Sequence, residues 1–250
     1  MSSAKFKKEP LKEVVFGVEF NSPEFASVHF GLYWQAIKDR FPIFPVDRPP
    51  VGGLPLVEMP ALRRVWFESA SKEQLIQLQE SRFYYNWRRR SHDSEYPHFD
   101  KVSSLFFKEW QNFQTWKTDE EAQIPDALKY ELTYLNTIDK EFGWSCVDDY
   151  PKVFSFVDET WRDVAPTKKA LRIGFECNLP KESGILAVSI DQAVDSESNS
   201  PIVFLNLTAR SNDASIDIKQ WFELAHDSIV ETFITLISAE SKENWDLQWL

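Results

Sequence analysis

The segment Leu75 to Arg90, LIQLQESRFYYNWRRR, constrains the fold more than any other part of the chain. A strand shows one face at every second residue. Before Glu80 the apolar residues Ile76 and Leu78 are even-numbered; from Phe83 onward the apolar set Phe83, Tyr85 and Trp87 is odd-numbered. The inward face therefore changes parity near Glu80-Ser81, and a one-residue slip would turn a whole strand inside out. Either a tight two-residue hairpin or a β-bulge absorbs the change. Neither residue is Gly, Asn or Asp, so a primed turn is poorly signalled and the bulge is the favoured expectation.

With Phe83, Tyr85 and Trp87 facing the core, the opposite face of the second strand carries Arg82, Tyr84, Asn86 and Arg88. These four are the candidate binding residues. One reading is a groove that holds a carboxylate, a phosphate or the acidic edge of a partner. The other is a solvated strand face whose arginines pair with neighbouring acids, the ordinary arrangement for half-exposed antiparallel strands.

Composition narrows the function classes. The net charge is −11 and the pI is near 4.9, so the chain is not steered to nucleic acid or to an anionic membrane surface. Only 7 Gly argue against glycine-rich phosphate loops and repeat solenoids. Two cysteines, Cys146 and Cys177, are too few for a secreted disulfide framework, and Cys177 reads as a core residue within an apolar alternation. The N-terminal residues are basic without an apolar stretch, and no apolar run approaches membrane-spanning length. The expected compartment is the cytoplasm.

In chain order, residues 12–20 read as a strand, and Ser22-Pro23 as a helix start. The helix that follows, 24–41, places Phe30, Trp34, Ile37 and Phe41 on one stripe. Residues 42–60, rich in Pro with Gly52-Gly53, read as an extended irregular loop. A strand over 64–69 leads into the central segment. The cluster His92, Asp93, Glu95, His98 and Asp100 has no standard metal spacing and reads as a polar loop entering a helix over 99–117. Its buried stripe is Phe99, Val102, Phe106, Trp110, Phe113 and Trp116. A strand over 127–138, a short helix around 149–157 and strands over 170–179, 184–194 and 201–210 precede a last long helix over 217–238. His226 lies beside its stripe and reads as a satisfied core histidine. Trp245 and Trp249, one helical turn apart, read as a dock for the C-terminus.

These elements specify an α+β fold: one antiparallel or mixed sheet of about seven or eight strands with long helices on one face, in a single domain over 1–250. The N-terminal half, 12–138, has the order βαβββαβ, which is ferredoxin-like; the C-terminal half, 139–250, continues the sheet as αβββα. A sheet this long needs its free edge covered, and a symmetric homodimer is the expected cover.

The segments LKEVVFGVEF, RVWFES, LIQLQESRFYYNWR, YPHFDKV, YELTYLNTI and AHDSIVETF, in that order across nearly the whole chain, resemble a sporadically distributed prokaryotic family of proteins of about this length. That family often carries Pro-Asp or Arg-Asp where this chain has Glu80-Ser81. The resemblance implies a bacterial or archaeal origin and a mobile, accessory role. It supplies no activity and no catalytic residues.

Three functional readings stand. The first is a non-enzymatic protein-interaction or regulatory module of an accessory system, of defence or toxin–antitoxin type, with a protein partner and no cofactor. The second is a small-anion or nucleotide-binding protein that uses Arg82, Tyr84, Asn86 and Arg88. The third, an enzyme, lacks G-x-S-x-G, Walker, H-E-x-x-H and Cys-x-x-Cys motifs, and no carboxylate spacing singles out an acid/base pair.

Overall fold

A computed structural model of the chain describes residues 4–21, 26–48, 64–90, 94–119, 126–164, 167–195 and 198–249. The elements in chain order are β1 (Ala4–Phe6), β2 (Leu11–Asn21), α1 (Ser27–Ile37), β3 (Val46–Arg48), β4 (Arg64–Glu68), β5 (Gln74–Gln79), β6 (Arg82–Arg88), α2 (Phe99–Asp119), β7 (Asp126–Ile138), α3 (Tyr150–Val153), β8 (Arg172–Asn178), β9 (Gly184–Val194), β10 (Pro201–Ser211), α4 (Ile218–Leu236), α5 (Ala239–Asn244) and β11 (Leu247–Trp249). The class is α+β. The strand order is β3-β4-β5-β6-β2-β7-β10-β9-β8, with β1 and β11 forming a separate ribbon. No described helix is long and apolar enough to cross a membrane.

Several expectations change. Val46–Arg48 forms β3 within the segment read as irregular loop, so four strands stand between α1 and α2 instead of three. The Glu80-Ser81 step is a two-residue hairpin, not a bulge: Gln79 faces Arg82, Leu78 faces Phe83 and Ile76 faces Tyr85. In this register an even-numbered residue of β5 always meets an odd-numbered residue of β6, which is the parity change seen in the sequence. Neither Glu80 nor Ser81 has a positive φ, so the turn is not of the primed kind. The expected helix start at Ser22-Pro23, most of the proline-rich segment and the pair His92-Asp93 lie outside the described residues.

The chain divides into two compact units. The first comprises Glu13–Leu132 and Ser211–Ile218. Its core is aromatic. Even-numbered residues of β2 and odd-numbered residues of β6 meet the stripe of α2, with Phe16 stacked on Phe106 at 5.0 Å and Phe83 against Phe113 at 5.2 Å. α1 adds Tyr33, whose ring packs against Phe67, Phe113 and Trp116. Tyr33, not Trp34, therefore joins Phe30 and Ile37 on the buried face of this helix. Just past α1, Arg40 grips the buried carboxylate of Glu109 on α2 through two bonds of 3.0 and 2.9 Å, which ties the two helices together.

The second unit comprises Met1–Lys12, Thr133–Arg210 and Lys219–Leu250. α4 presents Trp221, Phe222, Ala225, Ile229, Phe233 and Leu236 as its buried face. The Trp221 indole N–H donates to the carbonyl of Ser183 at 3.1 Å. Ser238 caps α5 by accepting from the Ser241 amide. Trp245 is fully buried, and its ring meets Phe6, Phe142 and Phe233. The C-terminus thus docks through Trp245, but residues 247–249 are extended and pair with β1, so Trp245 and Trp249 do not share a helical turn.

Phe113 touches four other aromatic rings of the first unit beside Tyr33. Truncating it opens a cavity that the helix cannot close, and Phe113→Ala is expected to cost about 3–5 kcal/mol of unfolding free energy in urea denaturation. A loss below about 1 kcal/mol would show that this cluster is not the core of its unit.

Candidate functional site

Strand register brings the candidate residues together on one face of the first unit. Arg88 on β6 stands opposite Glu13 on β2, Asn86 opposite Val15, Tyr84 opposite Gly17 and Arg82 opposite Glu19. On the other side of β6, Tyr84 stands opposite Gln77 of β5, and Gln77 opposite Trp66 of β4. On β3, Arg48 lies directly across from Arg64.

The face is not a solvated one. Tyr84, Asn86, Arg88 and Gln77 are all buried. Burial of so many polar groups is tolerable only when they satisfy one another, and here they form a directed chain. The Arg64 guanidinium donates to Gln77 Oε1 at 2.9 Å, and the Trp66 indole donates to the same oxygen at 3.1 Å. Gln77 Nε2 donates to Asn86 Oδ1 at 2.8 Å, and Asn86 Nδ2 donates to Glu13 Oε1 at 2.6 Å. Burial raises the Glu13 carboxyl above its ordinary value, against the opposing pull of Asn86 and Arg88.

Arg88 is held separately. Its Nη2 donates to Glu68 Oε1 at 2.6 Å and to the Lys72 carbonyl at 3.0 Å. Arg90 Nε donates to that carbonyl at 2.9 Å. Lys72 has a φ of 60°, a left-handed conformation costly for a side chain other than glycine. This twist lies in the β4–β5 turn whose carbonyl receives the two arginines. Arg82 reaches Glu19 at 3.4 Å in a partly exposed ion pair. Tyr84 lies flat over Gly17: a Cβ at that position would meet the ring at 2.6 and 2.7 Å. The glycine is needed there for close approach, not for its backbone freedom.

The four residues named from sequence thus do share one face, buried at Tyr84, Asn86 and Arg88 and half-buried at Arg82, and three of them are held by acids or amides of their own chain. The residues missed are those of β3 and β4. The Trp66 ring has the guanidinium of Arg48 at 4.5 Å, Arg64 at 5.6 Å and Arg88 at 5.8 Å from its centre. Of these three, only Arg88 has a carboxylate partner among the described residues. Arg64 Nε is buried without an acceptor among the described residues. Burial lowers the Arg64 guanidinium from its ordinary value, and the Arg48 charge acts in the same direction while Tyr84 opposes it. RVWFES carries two of these residues, but nothing local marks Arg48, whose neighbours read as loop.

Among the described residues no group of His, Cys, Asp or Glu could hold a metal ion. In the second unit, His226 Nδ1 lies 2.8 Å from the Tyr134 hydroxyl, a partnered histidine beside the α4 stripe. Comparison of the chain with protein-family models and with curated proteins found no match.

Two substitutions probe this face. Gly17→Ala is expected to displace the Tyr84 ring and to cost about 1–3 kcal/mol in stability; an unchanged denaturation midpoint would show that the ring yields freely. For Glu13, a folded pKa above the unfolded one means its contribution to stability is present at acidic pH and lost as pH rises through the folded value. Glu13→Gln keeps an acceptor for Asn86 and removes the buried charge. It is expected to melt above the parent at neutral pH, with the gap closing on acidification. A lower melting temperature at neutral pH would mean the charge stabilises the network.

Proposed function

We propose that the protein is a non-enzymatic protein-interaction module that receives an acidic segment of a partner beside Trp66. The observation that carries this reading is the direct opposition of Arg48 and Arg64 across β3 and β4. Like charges on facing residues of paired strands destabilise a sheet, and neither guanidinium has a carboxylate partner among the described residues. A carboxylate delivered from outside would relieve the repulsion, accept from Arg64 Nε and lie at the indole edge. The local excess of positive charge stands out on a chain of net charge −11. The rest of the polar face supports this role: Glu68 and Glu13 already occupy Arg88 and Asn86, so the ligand site lies at β3–β4 and not along β6. The family resemblance supports an accessory prokaryotic system as its setting.

The test is fluorescence anisotropy of labelled Asp/Glu-rich peptides at low ionic strength, beside a neutral peptide and with inorganic phosphate as competitor. The full chain is expected to bind the acidic peptides, and Arg48→Ala/Arg64→Ala to weaken them about tenfold or more, the scale of a close charge pair at an interface. Equal binding by the double variant would remove the site. Displacement by phosphate with no preference for peptide would replace the reading with small-anion binding on the same two arginines.

A further inference from the structure

Among the described residues, the second unit ends in a strand that is paired on one side only. β8 runs antiparallel to β9 from Arg172↔Asp191 to Asn178↔Ile185 and is the last strand in the sheet order. It is seven residues long and exposed at every position but Ile173, which is half-buried. Edges of this kind are normally blunted by Lys, Pro, a bulge or shortness. β8 has none of these; its charged side chains are Arg172, 3.5 Å from Asp191 of β9, and Glu176.

Its apolar side is a continuation of the core. Ile173, Phe175 and Cys177 face Ile190, Val188 and Leu186 of β9, all three fully buried. On β8 the same row opens to solvent, with Phe175 41% exposed and Cys177 exposed, so Cys177 is not the core residue its alternation suggested. The buried layer therefore stops one strand short of the sheet edge.

The backbone is equally ready. The Leu179 amide donates to the Gly184 carbonyl at 2.8 Å, which sets the odd-numbered peptide groups of β8 toward β9. By alternation, the N–H and C=O groups of Arg172, Gly174 and Glu176 point away from the sheet. The residues that offer backbone bonds spell Arg-x-Gly-x-Glu, a sequence that becomes charge-complementary when reversed.

We propose that β8 pairs with β8 of a second copy of this chain, antiparallel about a two-fold axis at Gly174. In this register Arg172 faces Glu176 of the second copy, Glu176 faces its Arg172, and Gly174 faces Gly174. All three are hydrogen-bonded pairs made with the outward groups. Ile173 meets Phe175 of the second copy in a non-hydrogen-bonded pair, where side chains approach most closely. The exposed apolar row is covered on both copies at once, as a closed isologous interface requires. The glycines at the axis leave both backbones free to approach. A register centred on Phe175 would also use the outward groups, but it sets Arg172 against Asn178 and forfeits both ion pairs.

Sedimentation equilibrium of the full chain over a concentration series tests this. The parent is expected to be a dimer. Arg172→Glu and Glu176→Arg, each alone, place like charges across the axis and are expected to raise the dimer dissociation constant about tenfold or more. The double exchange R172E/E176R restores the opposite-charge pairs and is expected to restore the dimer. Gly174→Pro removes an amide that points to solvent in the single chain, so it is expected to leave the melting temperature of a dilute sample nearly unchanged while abolishing dimerisation. A parent that stays monomeric throughout the series overturns the proposal. So does a dimer indifferent to R172E and G174P, or a double exchange no better than either single one.

Discussion

The two-residue turn at Glu80-Ser81 is the constraint on which the first unit depends. It sets every even-numbered residue of β5 against an odd-numbered residue of β6. One side of both strands then holds Ile76, Leu78, Phe83, Tyr85 and Trp87 against the aromatic stripe of α2, and the other holds Gln77, Tyr84, Asn86 and Arg88. An extra residue in the turn would exchange the two faces of one strand. That would place arginine and asparagine among the phenylalanines and leave the amide chain without its partners. The hydrophobic face and the polar network are therefore two consequences of one register.

The polar face obeys a stricter accounting than the aromatic one. Apolar packing tolerates rotation and exchange of similar volumes, whereas a buried amide or guanidinium must have a partner in the right direction. Gln77 and Asn86 pass hydrogen bonds from Arg64 to Glu13, and Glu68 neutralises Arg88. Each of these groups is costly to bury singly, and together they fix one arrangement. Against this background the opposed pair Arg48 and Arg64 is an exception within the face. Such local departures from self-consistency are where binding sites tend to occur.

The second unit poses the complementary problem. Its helix α4 buries a continuous apolar stripe, and β9 is covered, but among the described residues the apolar row continues onto β8 without cover. A sheet can end in a short strand such as β3, which exposes few backbone groups. A seven-residue edge with Phe175 on its surface exposes both unpaired peptides and apolar area, and pairing satisfies both at once.

Much of this architecture was legible in the residues themselves. The period-2 runs located β2, β4, β5, β6, β7 and β8–β10, and the period-3.6 stripes located α2 and α4, because burial of one face is a local, repeating demand on a chain. The same logic placed Arg82, Tyr84, Asn86 and Arg88 on one face. It favoured a bulge where the chain makes a hairpin, since both satisfy the parity change and Glu-Ser carries no primed-turn signal. It missed β3, whose three residues are too short to show a period. Above all, it could not tell which arginines would be occupied: Glu68 is 20 residues from Arg88 and Glu13 is 73 from Asn86. Periodicity determines which way a side chain points. Only the strand register, set by the packing of whole elements, decides what it meets there.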